Sequence, residues 1–115
     1  MTGKVIDNAT FSELKETTGS EFMVELIDTF LADAPGMLAD LRTALAKNTA
    51  ELFRRSAHSL KSNSSTFGAL NLANQARELE NLGRNNQIAG MEDRLAQLEL
   101  EYGKVELALK SLRDS

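Results

Sequence analysis

MEDRLAQLELEYGKVELALKSL, residues 91–112, is the stretch that decides the fold class. Met91, Leu95, Leu98, Tyr102, Val105, Leu109 and Leu112 step by 4, 3, 4, 3, 4, 3. That is the a/d spacing of a helix packed along its whole length against partners. A long helix from about Ala89 to Arg113 is predicted. Gly103 inside it either costs helix stability or marks a close contact.

Upstream of this stretch the same period recurs. Leu72, Ala76, Leu79 and Gly83 form one stripe, and Asn85-Asn86-Gln87 loosens the chain after it. Before that stripe, Thr49 is placed to cap a helix running to about Phe67, with Gly68 where a C′ glycine belongs. Phe22, Met23, Leu26, Ile27, Phe30 and Leu31 mark another helix, capped by Ser20. Pro35-Gly36 punctuates it, and proline is tolerated in a first turn. A new helix is therefore predicted from there, with Leu38, Leu41 and Leu45 on one face and an end near Lys47-Asn48. Thr10-Phe11-Ser12-Glu13 reads as a capping box that opens a short helix ending before Gly19.

Four helices of fifteen or more residues with short connections predict an all-α fold. The expected form is an antiparallel up-and-down four-helix bundle with a short extra N-terminal helix. One domain is expected over 1–115, its core at about 8–113; no repeat or linker divides the chain. Composition agrees. Leu (18) and Ala (14) dominate, while Val and Ile together number 6 and Pro only 1, a profile against sheets. Cys is absent, which excludes disulfides, thiolate metal sites and thiol nucleophiles. A formal charge of −4 with 5% aromatics argues against nucleic acid as a partner. No stretch reads as a signal peptide or a membrane span, so a cytoplasmic location is expected.

The only histidine lies in the segment 49–68. Phe53, Ala57, Leu60, Ser64 and Phe67 fall within roughly 40° of one line on a helical wheel, which makes that line the core face. His58 lies about 140° away and is predicted to face solvent. Its helical neighbours are Arg54, Arg55, Lys61 and Ser62, with Ser65 a turn further. Residues 49–67 carry a net charge of +2, and the rest of the chain carries −6. A basic spot on an acidic body suits an anion or an acidic partner surface. Ser62-Asn63-Ser64-Ser65-Thr66 is a poor run for helix stability, but it leaves the ring uncovered and lets another backbone approach. The competing interpretation is an ordinary surface histidine on a solvated basic face.

Ala57-His58-Ser59-Leu60-Lys61-Ser62, followed by Gly68-Ala69, Leu72 and Leu79-Glu80, resembles the signature of histidine-containing phosphotransfer (HPt) domains. Phe11, Leu14, Phe22, Leu26-Ile27, Phe30-Leu31, Pro35, Leu38 and Leu41 resemble the family's N-terminal half, so the likeness spans roughly 8–110. Ser62 stands where the family more often has Gly. The resemblance implies a four-helix bundle whose exposed His58 takes a phosphoryl group from a receiver-domain aspartyl phosphate and passes it to another response regulator. It implies that Lys61, with Arg54, stabilises phosphate charge. Glu80 would orient the imidazole by a hydrogen bond. Arg54, Arg55, Ser62, Ser65 and Gly68 would form the receiver docking surface or its local geometry. The implied partners are receiver domains and a hybrid sensor kinase. No cofactor of the chain's own is implied, because the Mg²⁺ belongs to the receiver. The chain has no Gly-rich ATP site, so a phosphocarrier is expected rather than a self-sufficient enzyme.

Three other readings compete. A non-catalytic helical adaptor would make His58 incidental. The phosphoacceptor part of a chemotaxis-type kinase would need further domains. A metalloenzyme would have to use Glu78, Glu80, Glu92, Asp93, Glu99 and Glu101, which read more simply as a solvated acidic face. No apolar stripe is left unpaired in this reading, and a monomer is expected.

Overall fold

A computed structural model of the chain describes residues 5–114; the N-terminal reading of residues 1–4 lies outside it. Five helices and no strand occur among the described residues: α1 (Asn8–Thr18), α2 (Ser20–Lys47), α3 (Ala50–Thr66), α4 (Leu70–Arg84) and α5 (Glu92–Asp114). Helix α2 packs on α3 and α5, α4 packs on the same two, and α1 lies against α2 and α3. Each helix contributes one apolar stripe to a shared core that includes Ile27, Leu41, Phe53, Leu60, Leu79, Leu98 and Leu109. Phe30 ties α2 to the end of α3 and to α5, with ring centroids 5.5 Å from Phe67 and 6.0 Å from Tyr102.

Several predicted boundaries move. No new helix starts at Pro35; α2 runs through it without a break. The ring of Pro35 points to solvent, while Ala34, Leu41 and Ala44 carry the buried stripe across it. Mid-helix proline costs about 3 kcal/mol, which the packing on both sides of it offsets. The cap of α1 is Asp7 rather than Thr10. Its carboxylate accepts from the Thr10 amide at 3.0 Å and from the Thr10 hydroxyl at 2.6 Å. A carboxylate at a helix N-terminus also faces the positive end of the dipole. Gly19, at φ 87°, is the joint between α1 and α2, so Ser20 lies inside α2 instead of capping it. Thr49 does precede α3 but makes no side-chain capping bond. Helix α5 starts at Glu92, later than predicted; Ile88 is buried in the core and anchors the connection before it. Around Gly103 a Cβ would meet nothing within 4 Å, so that glycine marks no close contact.

The end of α3 is tightly built. Gly68 has φ 81°, and the amides of Gly68 and Ala69 bond back to the Ser65 and Ser64 carbonyls at 3.1 and 2.9 Å. A Cβ on Gly68 would lie 2.9 Å from Thr10 Cβ and 3.0 Å from the Asp7 carbonyl oxygen. The Asp7 amide donates to the Gly68 carbonyl at 2.8 Å, which fastens the start of α1 to the α3–α4 turn.

Candidate functional site

Phe53, Ala57, Leu60 and Ser64 of α3 are all buried, as the wheel predicts. His58 faces outward with its side chain 54% exposed. Three members of the polar run after it bond back to their own helix. The Asn63 amide nitrogen donates to the Ser59 carbonyl at 2.9 Å, the Ser64 hydroxyl to Leu60 at 2.7 Å, and the Thr66 hydroxyl to Ser62 at 3.0 Å. These side chains fold back on the backbone instead of standing over the imidazole. Ser62 and Ser65 remain exposed, small and on the outer side.

The centre of the site lies on the neighbouring helix. Glu80 of α4 has a side chain only 3% exposed, so it does not belong to a solvated acidic face. One of its oxygens is 2.8 Å from His58 Nδ1 and the other 2.7 Å from Lys61 Nζ. Arg84, one turn along α4, reaches the first oxygen at 3.1 Å. Burial by itself raises the Glu80 carboxyl; hydrogen bonds and charge from Lys61 and His58 outweigh it and hold the group below its ordinary 4.5. A buried carboxylate needs such partners, because an unpaired one costs several kcal/mol. It leaves Nδ1 of His58 as the donor and Nε2 as the nitrogen free to react.

Lys61 differs from its expected placing. Its side chain is 28% exposed and committed to Glu80, where the resemblance implied a charge for the phosphate. Arg54 is also engaged: its guanidinium holds Glu51 at 3.0 and 2.6 Å and keeps that carboxyl below its ordinary range. Arg55 is exposed, 3.9 Å from the same carboxylate. Gly68 is buried at the α3–α4 turn. Sequence reasoning missed Arg84. The available signal was its spacing, an acid followed four residues later by a base, which places both on one face of a helix.

The acidic residues considered for a metal divide in two. Glu78, Glu92, Asp93 and Glu99 lie outside the core, Glu78 meeting Arg94 at 3.4 Å and Glu99 pairing with Arg42, while Glu80 and Glu101 are buried. Among the described residues no group of three or more His, Cys, Asp or Glu is disposed to hold a metal ion. None of the described helices is long and apolar enough to cross a membrane. Leu100 and Leu107 of α5 are 72% and 71% exposed, so that helix does leave two apolar side chains uncovered.

Comparison with known proteins adds the following. A family model described as the Hpt domain matches residues 25–108, a span that includes His58, Lys61, Glu80 and Arg84. The crystal structure of histidine-containing phosphotransfer protein B (HptB) from Pseudomonas aeruginosa PAO1 matches with a TM-score of 0.90 and 32% sequence identity, covering 98% of this chain and 97% of that one. No curated protein matches the chain.

Proposed function

The chain belongs to the Hpt-domain family, whose activity is histidine phosphotransfer in phosphorelays, and from that premise we propose that His58 is the residue that takes up and passes on the phosphoryl group. The observation that carries this reading is the contact between His58 Nδ1 and the buried Glu80 at 2.8 Å. It commits one ring nitrogen to a carboxylate and turns the other, with its lone pair, toward solvent. Small side chains at 62 and 65 let a partner close over it.

The step is an in-line displacement. The Nε2 lone pair forms the N–P bond as the P–O bond to the receiver's aspartate breaks and its carboxylate leaves with the electron pair. The Nδ1 proton stays on the ring, donated to Glu80, so the phosphorylated imidazole keeps its orienting bond. The reverse step, to a second receiver, runs over the same atoms. Such transfer needs positioning and charge neutralisation more than covalent help. Lys61 and Arg84 supply the charge: both already sit on Glu80 and turn toward the phosphoryl oxygens when these arrive. Arg54 and Arg55 form the outer part of the same basic face. We also propose that the divalent ion used in transfer is held by the receiver, and that this chain has no ATP site and acts as a monomeric cytoplasmic carrier. The ring of contacts α2–α3–α4–α5–α2 supports an up-and-down four-helix bundle with α1 beside it.

The test is transfer from a phosphorylated receiver domain in the presence of Mg²⁺. Alkali-stable, acid-labile phosphate is expected on the parent chain and absent from His58→Gln, with unchanged melting. Phosphate retained by that variant refutes the assignment of His58.

A further inference from the structure

The α3–α4 contact is the most extensive between the described helices. On α3, Ala57 and Ser64 are buried three residues on from Arg54 and Lys61, and on α4 Gly83 is buried together with Ala76 and Ala73, four and seven residues before Glu80. At one point the two backbones come unusually close. A Cβ on Gly83 would lie 2.9 Å from the Arg54 amide nitrogen and 3.0 Å from Arg54 Cα and Cβ. These atoms are backbone and the first side-chain carbon, so no flexible tip can swing aside. No left-handed conformation is required of Gly83, and the demand is for space alone.

Arg54 stands four residues before His58, and Gly83 stands three residues after Glu80. This close approach of the two helices is therefore one helical turn from the contact between His58 and Glu80. We propose that Gly83 is a positioning residue of the phosphotransfer site: by letting α4 seat against α3 at Arg54, it sets the distance at which Glu80 meets His58 and Lys61. The proposal rests on the reading of His58 as acceptor and adds a residue that touches none of the reacting atoms.

Ordinary carbon contacts lie at about 3.5–4.0 Å, so a methyl group at 83 parts the helices locally by roughly 0.5–1 Å. Glu80 moves with α4. Its contacts at 2.8 and 2.7 Å then open beyond about 3.2 Å, the limit of a good N–H···O bond. The imidazole loses the acceptor that selects its tautomer. A misplacement of about 1 Å costs up to 10²-fold in rate, so a loss of roughly 5- to 50-fold is expected.

The experiment combines Gly83→Ala with two readouts. NMR shifts of the His58 ring nitrogens, at mildly alkaline pH, should show one tautomer protonated at Nδ1 in the parent and a mixture in the variant. Transfer from a phosphorylated receiver should slow as stated, but in a Glu80→Ala background Gly83→Ala should change the rate less than about twofold, because coupled sites are not additive. Gly103→Ala, where the new methyl meets nothing, is the control and should leave both readouts unchanged. A single Nδ1-protonated tautomer with the parental rate in Gly83→Ala overturns the proposal. An equal loss with and without Glu80 also overturns it, since that marks a general packing defect. If Gly83→Ala does not fold, Glu80→Asp withdraws the carboxylate by one methylene without touching the seam. A parental tautomer and rate in Glu80→Asp then overturn the proposal. Transfer surviving in His58→Gln instead overturns the acceptor assignment, and the tautomer readout stands apart from it.

Discussion

Replacing Lys61 by alanine separates the contact its ammonium makes with Glu80 from the role proposed for it, meeting phosphate. An exposed ion pair contributes about 0–1 kcal/mol. The Lys61 contact is not of that kind, because its partner's side chain is 3% exposed and the distance is 2.7 Å. Hydrogen bonds to charged groups contribute about 1.5–3 kcal/mol. Two facts reduce the figure here: Lys61 is itself 28% exposed, and Glu80 keeps His58 and Arg84. The expected loss is about 1–2 kcal/mol, a fall of roughly 5–10 °C in Tm. It should depend on pH in one direction. Burial raises the Glu80 carboxyl, and the Lys61 and His58 contacts more than offset this, so the folded-state value is depressed below 4.5. A depressed carboxyl contributes its stability above the unfolded value and loses it as pH falls through the folded value. Urea unfolding of parent and variant should therefore differ by the full amount at about pH 7 and converge at acidic pH, as it falls below 4.5 and through the folded value. Receiver-dependent transfer at neutral pH should fall roughly 10- to 100-fold, the range for losing one charge-stabilising donor in a partly exposed site. A stability difference that is the same at both pH values refutes the reasoning, because it would mean that the aliphatic stem of Lys61, not its charge on Glu80, supplies the stability.

Two further outcomes are expected. Ser62 is exposed one turn from His58, so Ser62→Leu should fold at least as well while transferring phosphate up to about 10²-fold more slowly, whereas Ser62→Gly should remain active with a lower Tm; a parental transfer rate in Ser62→Leu removes the case for a partner closing over this face. Burial, with a smaller contribution from Glu106, pushes the Tyr102 hydroxyl up to about 12, and among the described residues it has no hydrogen-bond partner. As the only tyrosine in a chain without tryptophan, it should titrate by ultraviolet absorbance near that value. Burial penalises only the ionised phenolate, so the fold loses stability as pH rises from the unfolded value through the folded one and is unaffected by this group at neutral pH. Tyr102→Phe should match or exceed the parental stability at neutral pH, and a loss above about 1 kcal/mol would show a partner for the hydroxyl.

The helical content, the core face of α3 and the outward placing of His58 were legible because each depends on side-chain period along one helix. The 4, 3, 4, 3 spacing around Phe53, Leu60 and Ser64 leaves a single possible buried face. Gly68 was legible for a related reason, since a helix end that needs a left-handed residue takes glycine. Boundaries were less so. Pro35 is a breaker by local rules, but packing at Ala34 and Leu41 carries α2 past it. Thr10 and Asp7 are both good caps, and local sequence does not say which one a helix will use.

By itself, the sequence determined an all-helical chain with one imidazole exposed among basic and small side chains, since those properties follow from composition and period. The tertiary structure alone decided what that imidazole meets. Glu80 and Lys61 are nineteen positions apart in the chain, and only the seating of α4 on α3 brings them to 2.7 Å. The likeness of Leu79-Glu80 to a family pattern named the residue. It did not reveal that the carboxylate is buried, shared with Arg84, or held close by a glycine opposite Arg54. Distances between helices depend on which side chains lie in the seam, and a seam exists only once two separate segments have packed against each other.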